Sequence, residues 1–358
     1  MNESLIAPSP PSTLDWRPTS LDTFVGQDAF KKQLRVEIAA SIRQQRPVRN
    51  ILLSGLQGTG KSTIAGIIAM ERGSPPPIVC VGKGLNIQQL SSILNTLGHQ
   101  GRKGYSADGY LVDPSIATYP VVVLDEVDAV EKPVLETLHP ILEPGSDGRR
   151  IFNAIGPRGQ RGPCWAIGLT VIAVTNYLGT FLKDNGPTAS RFPIQYVFEP
   201  YTDKQLSTII QGMAIRAGFK IEDDAAELLA SRANSMPRTA INLLKRAVDF
   251  RSADDESNRI LDYQSISETL EILEIDEFGL DRQMRCVLKT LAEAGGKLSL
   301  QGLASILQAD EKTLVYVIEP VLLRKGFLNR RSSGREITQA GRLALGRQDN
   351  DPFTSQLL

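Results

Sequence analysis

The sequence predicts an α/β chain in three parts: a parallel sheet covered by helices, an all-helical block, and a small winged helix-turn-helix. Three observations lead there. Short apolar runs alternate with helical spacings as far as Pro200. After Pro200 helical segments follow one another with no strand between them. The C-terminal part reads as helices closed by two short strands.

Residues 1–14, rich in Ser and Pro, carry no periodic pattern and read as a flexible arm. Phe30 to Gln45 has apolar residues at helical spacing (Leu34, Ile38, Ile42) and stops at Pro47. Asn50 to Ser54 is a short apolar run, the mark of a buried strand. A helix follows from Lys61 to Glu71, ended by Gly73 and Pro75-Pro76-Pro77. Ile78 to Val81 reads as a strand, Asn86 to Leu97 as a helix, and His99 to Gly109 as a basic, Gly-rich loop. Val121 to Leu124 and Leu169 to Val174 are further buried strands. Between them lie a helix at Val134–Leu142 and a hairpin or long loop over Gly145–Gly168. Beyond Pro200, Asp203–Ala217, Asp223–Ala233, Pro237–Phe250 and Ser265–Ile275 read as helices. From Gly279 come helices at Asp281–Ala294, Leu300–Leu307 and Glu311–Lys325, then two strands within Phe327–Thr338 around Ser332-Ser333-Gly334. The expected divisions are therefore an arm at 1–14, an α/β domain at 15–200, a helical domain at 201–276, a winged helix at 277–346 and a tail at 347–358.

A chain of 358 residues with 41% hydrophobic and 22% charged residues has an ordinary globular composition, with enough apolar mass for more than one packed domain. Forty basic residues balance forty acidic ones, so any nucleic-acid surface must come from local clusters and not from a net basic field. Cys80, Cys164 and Cys286 are widely spaced and His99 and His139 are isolated, which argues against a zinc site. No run reaches the roughly 18 apolar residues of a membrane helix. The N-terminal segment lacks the basic start and apolar core of a signal peptide, so a cytosolic protein without membrane contact is expected.

The motif with the most chemistry is Gly55-Leu56-Gln57-Gly58-Thr59-Gly60-Lys61-Ser62, between a predicted strand and a predicted helix. Gly55, Gly58 and Gly60 let backbone N–H groups turn inward around phosphates, with Thr59 inside the turn and Thr63 just after it. The helix N-terminus adds partial positive charge. Lys61 neutralises the β/γ oxygens of ATP, and the Ser62 hydroxyl is a ligand for Mg²⁺. The run Val121–Leu124 ends in Asp125-Glu126-Val127-Asp128. A carboxylate at that strand end can hold the Mg²⁺ shell, which selects Asp125, and Glu126 is placed to polarise the attacking water as general base. Asn176, ending the next strand, can orient that water or touch the γ-phosphate. Arg191 lies just beyond the α/β core and Arg238 starts a helix of the next block. Either alone reads as a surface arginine; in this order they read as parts of one ATPase, because a guanidinium matches phosphate charge and never deprotonates.

On these motifs the chain resembles the AAA+ superfamily, and within it the RuvB family, over nearly its whole length after residue 14. Arg17-Pro18 with Phe24-Val25-Gly26-Gln27 looks like the family's adenine-side segment. Gly55–Ser62 resembles its Walker A motif, Asp125-Glu126 its Walker B, Thr175-Asn176 its sensor 1, Arg191 its arginine finger and Arg238 its sensor 2. Ile318-Glu319-Pro320, Lys325-Gly326-Phe327-Leu328 and Gly334-Arg335 look like its winged-helix end. The resemblance implies an AAA+ P-loop domain, a helical lid and a winged helix. It also implies hexameric rings on duplex DNA flanking a Holliday junction, held there by a junction-binding partner of the RuvA type that docks near residues 145–168. The chain departs from the family pattern at Val127-Asp128, where relatives carry Ile-His, and at Ala189, where they carry a second arginine.

For DNA, the candidates are Arg330, Arg331 and Arg335 around the tip of the wing, where phosphate contacts would give affinity without sequence readout. The basic loop Arg102-Lys103-Gly104-Tyr105 is an alternative contact. Three readings stay open at this level: a translocating ring motor, an ATP-controlled loader or scaffold on DNA, and a winged-helix regulator with an ATPase module.

Overall fold

The computed structural model describes residues 18–100, 119–143, 151–155, 161–166, 168–254 and 259–346, in two compact units that divide between Tyr201 and Thr202. The first unit runs α1 (Asp28–Arg43), β1 (Ile51–Gly55), α2 (Lys61–Glu71), β2 (Ile78–Val81), α3 (Ile87–Gln100) and β3 (Val121–Asp125). It continues through a 3₁₀ turn (Val127–Ala129), α4 (Lys132–Thr137), α5 (His139–Leu142), β4 (Ile151–Ile155), β5 (Arg161–Ala166) and β6 (Thr170–Thr175). It closes with α6 (Leu178–Asp184), α7 (Gly186–Ala189) and β7 (Ile194–Phe198).

Strands β2-β3-β6-β1-β7 form a parallel sheet in that order, as the α/β reading requires. Alternation along each central strand divides the core into two layers. Leu52, Val122, Leu124, Val171 and Ala173 pack on one face with Leu90, Leu94 and Leu135. Ile51, Leu53, Val121, Val123, Ile172 and Val174 pack on the other with Phe30, Leu34, Ile64 and Ile68. Burial on both faces explains why these strands are continuously apolar. Because the sheet is parallel, the carboxyl ends fall at one edge: Ser54 pairs with Thr175, Gly55 with Phe198, and Val81 with Asp125.

Three features depart from the sequence reading of this unit. The helix expected over Val134–Leu142 is two, since Pro140 has no N–H to bond the carbonyl of Glu136 and a new short helix starts around it. Strand β7 was not foreseen; it lies at the sheet edge, where only Phe198 of its residues is fully buried and the apolar run is correspondingly weak. Helices α6 and α7 were also missed, being only seven and four residues long. The region 145–168 does contain a hairpin, β4 against β5, with Phe152 opposite Trp165.

The second unit begins with α8 (Asp203–Arg216), β8 (Lys220–Ile221), α9 (Asp223–Arg232), α10 (Pro237–Asp254), β9 (Ile260–Leu261) and α11 (Tyr263–Ile272). Contrary to the strand-free expectation, β8 and β9 form a two-stranded parallel pair, too short for any periodicity to register. Helix starts follow readable capping chemistry: Thr202 and Gln205 form a reciprocal capping box on α8, and Asp262 caps α11. The winged part comprises α12 (Arg282–Glu293), β10 (Lys297–Leu298), α13 (Leu300–Leu307), α14 (Glu311–Thr313), a π-helical segment (Leu314–Ile318), α15 (Glu319–Arg324), β11 (Leu328–Arg331), β12 (Gly334–Ile337) and α16 (Gln339–Gly346). Its core joins Val287, Leu288, Leu291, Leu303, Leu322 and Leu328. The helix expected over Glu311–Lys325 is interrupted by the π segment next to Pro320, whose missing N–H removes one rung of the helical ladder.

Candidate functional site

The phosphate loop leaves β1 at Gly55. Its φ of +129° suits glycine, and a Cβ there would lie 2.8 Å from the Phe198 carbonyl oxygen on neighbouring β7. Gly60 caps α2 at φ +96°, with the Phe24 ring 3.1 Å from where its Cβ would be. Phe24 is thus a buried residue beneath the loop, edge-on to Phe198 with centroids 6.4 Å apart. Pro18 and Val25 are partly exposed, while Arg17 lies outside the described residues. Thr59 is buried and its hydroxyl donates to the Leu56 carbonyl at 2.8 Å. From outside the motif, the Tyr201 hydroxyl donates to the Thr59 carbonyl at 3.0 Å. Burial pushes the Tyr201 phenol pKa well up, which keeps that donor protonated. Gln27, in the left-handed region at φ +53°, bonds the backbone of Glu199 in both directions, at 2.9 and 3.2 Å, and so fastens the segment before α1 to the end of β7.

Lys61 is buried at the start of α2, its ammonium donating to the carbonyls of Gly55 (2.8 Å) and Leu56 (2.7 Å) and to Asn176 Oδ1 (2.9 Å). The next side chain, Ser62, places its hydroxyl 3.3 Å from Asp125 Oδ2. Glu126 adopts a left-handed conformation at φ +53°, and its N–H donates to Asp125 Oδ1 at 3.0 Å. Gly82, after β2, donates its N–H to the Asp125 carbonyl at 2.7 Å, and a Cβ on it would stand 2.2 Å from the Glu126 carbonyl oxygen. Asp128 accepts a short hydrogen bond from the Thr175 hydroxyl, whose oxygen accepts from the Tyr177 N–H at 2.9 Å. Asn176 is thereby gripped on both sides. The sheet edge brings Lys61, Ser62, Asp125, Glu126 and Asn176 together. A loop with left-handed glycines at 55, 58 and 60 and a buried ammonium suit a polyphosphate, and a hydroxyl beside a carboxylate suits a hard divalent cation.

Arg191 stands apart from this cluster, just after α7. Its guanidinium donates to the Pro187 carbonyl and lies 3.2 Å from Glu143 Oε2, with a fifth of the side chain exposed. Beneath it, His139 Nε2 meets the Thr188 hydroxyl at 2.8 Å. Burial, and then the charge of Arg191, hold the imidazole pKa below its usual value. In the second unit Arg238 is exposed on the first turn of α10.

The wing corrects one expectation. Arg330 and Arg331 are exposed, Arg331 with its guanidinium 3.2 Å from Glu336. Arg335 is not a surface residue: it is 7% exposed and bound to Glu319 by two hydrogen bonds, of 2.5 and 3.1 Å. The pairing register explains this. Leu328 faces Ile337 on the core side, and Arg335, two residues along, shares the face of Ile337. That alternation was visible in the sequence, but three nearby arginines obscured it. Motif reasoning passed over Gly82 and Tyr201, and although Gln27, Asp128 and Thr175 stand within quoted motifs, it did not give the contacts they make with partners distant in sequence. The basic loop Arg102–Tyr105 and the stretch 145–150 lie outside the described residues.

Comparison with known proteins matches three successive models: a Holliday junction DNA helicase RuvB P-loop domain over residues 16–101, a RuvB AAA lid domain over 201–276 and a RuvB C-terminal winged helix domain over 277–346. The Holliday junction branch migration complex subunit RuvB of Pseudothermotoga lettingae is 32% identical, covering 90% of this chain and 87% of the relative. That of Thermotoga maritima is 34% identical over 90% of each. The solved structure of the Thermotoga maritima RuvB Holliday junction branch migration motor superposes with a TM-score of 0.73 at 31% identity, covering 92% of this chain and 98% of that one.

Proposed function

Because this chain belongs to the RuvB family, we propose that it is an ATP-driven, ring-forming motor that translocates duplex DNA to drive Holliday junction branch migration in recombination and repair. The observation that carries the proposal is the convergence of Lys61, Ser62, Asp125, Glu126 and Asn176 at one sheet edge, in a chain that also has a winged helix with exposed Arg330 and Arg331.

In this mechanism Lys61 exchanges the carbonyls of Gly55 and Leu56 for the β- and γ-phosphate oxygens of ATP, and the glycines around it leave the backbone open to them. Ser62 and Asp125 would hold Mg²⁺, which supplies charge neutralisation at the phosphates. The Glu126 carboxylate takes the proton of the attacking water, and the Asn176 amide, fixed through Thr175 and Asp128, orients that water against the γ-phosphate. Arg191 reaches the γ-phosphate of the neighbouring subunit in a hexameric ring, leaving Glu143 to do so, and Arg238 reports the state of the site to the lid. Pro18 and Val25 line the adenine side, with Phe24 supporting the loop from beneath. Arg330 and Arg331 contact DNA phosphates, which gives the sequence-independent grip that translocation needs. We place the protein in the cytoplasm, with a RuvA-type protein as its junction-binding partner.

The test is migration of a synthetic four-way junction by the purified chain with ATP and Mg²⁺, with and without a RuvA-type partner. Strand separation that depends on hydrolysis is expected. ATP-dependent DNA binding without any migration would instead favour a loader.

A further inference from the structure

Arg238 can report nucleotide state to DNA only if the helix that bears it is joined stiffly to the winged helix. Both lie in the same compact unit. Just before α10 the chain passes through two consecutive left-handed residues, Asn234 at φ +55° and Ser235 at φ +59°. Such backbone persists where surrounding contacts over-determine it, and here they come from the winged part. The Asn234 side-chain amide donates to the Gly279 carbonyl at 2.7 Å, and the Asn234 carbonyl accepts from Arg324, at the end of α15, at 3.3 Å.

The segment that connects lid and wing is equally constrained. The Asp276 carboxylate accepts from the amides of Phe278 (2.9 Å) and Leu280 (2.8 Å). Arg285 closes the same loop from α12, donating to the carbonyls of Glu274 and Leu280, both at 2.8 Å. Gly279, at φ +71°, packs so tightly that a Cβ would stand 2.6 Å from the Arg232 carbonyl at the end of α9. The connector is thus a strut bonded to the lid, and Asn234, four residues before Arg238, is the residue that bonds to both the strut and α15.

We propose that Asn234 is a positioning residue that couples the sensor arginine to the DNA-binding wing, locking lid and winged helix into one lever through Gly279 and Arg324. The proposal deepens the motor reading and rests on it for its functional arm. When Arg238 gains or loses a γ-phosphate, the start of α10 moves and carries the wing with it, because no slack remains between them.

The test uses the full chain. Asn234→Gly keeps the left-handed backbone accessible and removes only the side-chain amide. Arg324→Ala removes the second bond, and Arg324→Lys retains a donor. In Asn234→Gly and Arg324→Ala, ATP hydrolysis without DNA and the KM for ATP stay at parental values. The DNA-stimulated kcat falls about fivefold, the scale that one lost hydrogen bond supports, while Arg324→Lys keeps most of the stimulation. In parallel, hydrogen exchange at the amides of Phe278 and Leu280 accelerates about tenfold in Asn234→Gly as the strut loosens. Unchanged exchange at those amides, or equal losses of basal and stimulated hydrolysis, would overturn the lever. A parental chain with no DNA-stimulated hydrolysis sinks the motor reading instead, and the exchange measurement still decides whether Asn234 locks the junction.

Discussion

Replacing Arg335 by alanine separates a structural arginine from DNA-contacting ones. Its partner Glu319 has a side chain only 2% exposed, and the pair is held by two hydrogen bonds. Removing the guanidinium strands a carboxylate inside the winged-helix core. Breaking a buried pair from one side costs about 3–5 kcal/mol, because the remaining charge keeps its desolvation penalty and loses its compensation. For a unit of this size that corresponds to a fall in melting temperature on the order of 10 °C. Arg330→Ala and Arg331→Ala remove exposed side chains, the latter in a solvent-exposed pair with Glu336, and should each change stability by less than about 1 kcal/mol. The assay is thermal unfolding of each variant, alongside duplex DNA binding titrated against salt. Arg330→Ala and Arg331→Ala should each lower the slope of log affinity against log salt by about 1 with melting unchanged. Arg335→Ala should melt early and keep the parental slope. Combining Arg335→Met with Glu319→Leu should recover most of the stability, since an apolar pair of similar volume carries no desolvation cost. If Arg335→Ala melts like the parent and loses salt dependence like Arg330→Ala, the assignment is wrong.

Further outcomes follow from the sheet edge. Asp128→Ala frees Thr175 and with it Asn176, so kcat for ATP hydrolysis should fall about tenfold with KM little changed, and Asp128→Asn, which keeps an acceptor, should fall less. Gly82→Ala forces a Cβ to within 2.2 Å of the Glu126 carbonyl, so steady-state assays should show hydrolysis reduced at least tenfold, with equilibrium titration showing ATP affinity retained. His139 titrates below its ordinary value through burial and the nearby charge of Arg191, against which Glu136 and Glu143 pull upward. A depressed pKa makes its contribution to stability complete above the unfolded value near 6.5 and lost as pH falls through the lower folded value. Unfolding measured against pH should therefore show a destabilising slope beginning below pH 6.5, and His139→Gln should flatten it.

How much of this was legible beforehand depended on contiguity. The phosphate loop and Asp125-Glu126 carry their chemistry in consecutive residues, and the apolar runs at Ile51–Leu53, Val121–Leu124 and Val171–Val174 announce the sheet that sets them at one edge. What supports those residues did not announce itself. Tyr201 reaches Thr59 from 142 positions away, and Gly82 is required only because Glu126 passes against it. The π segment before Pro320 keeps the spacing of a helix, with Leu314 and Ile318 buried four residues apart, so nothing in its pattern marks the wider turn. Arg335 shows the opposite failure: the strand alternation that buries it was readable, but its charge drew attention to the surface.

The central claim, one active site built from two protomers, is tested most directly by mixing inactive variants. Glu126→Gln should bind ATP and hydrolyse it at least a hundredfold more slowly, and Arg191→Ala should lose about a thousandfold or more. In equimolar mixed rings, roughly a quarter of interfaces would pair an intact Glu126 with an intact Arg191 supplied in trans. A site shared between protomers should give ATPase activity in the mixture well above that of either variant alone. Activity that stays at the level of the separate variants at every ratio would contradict it.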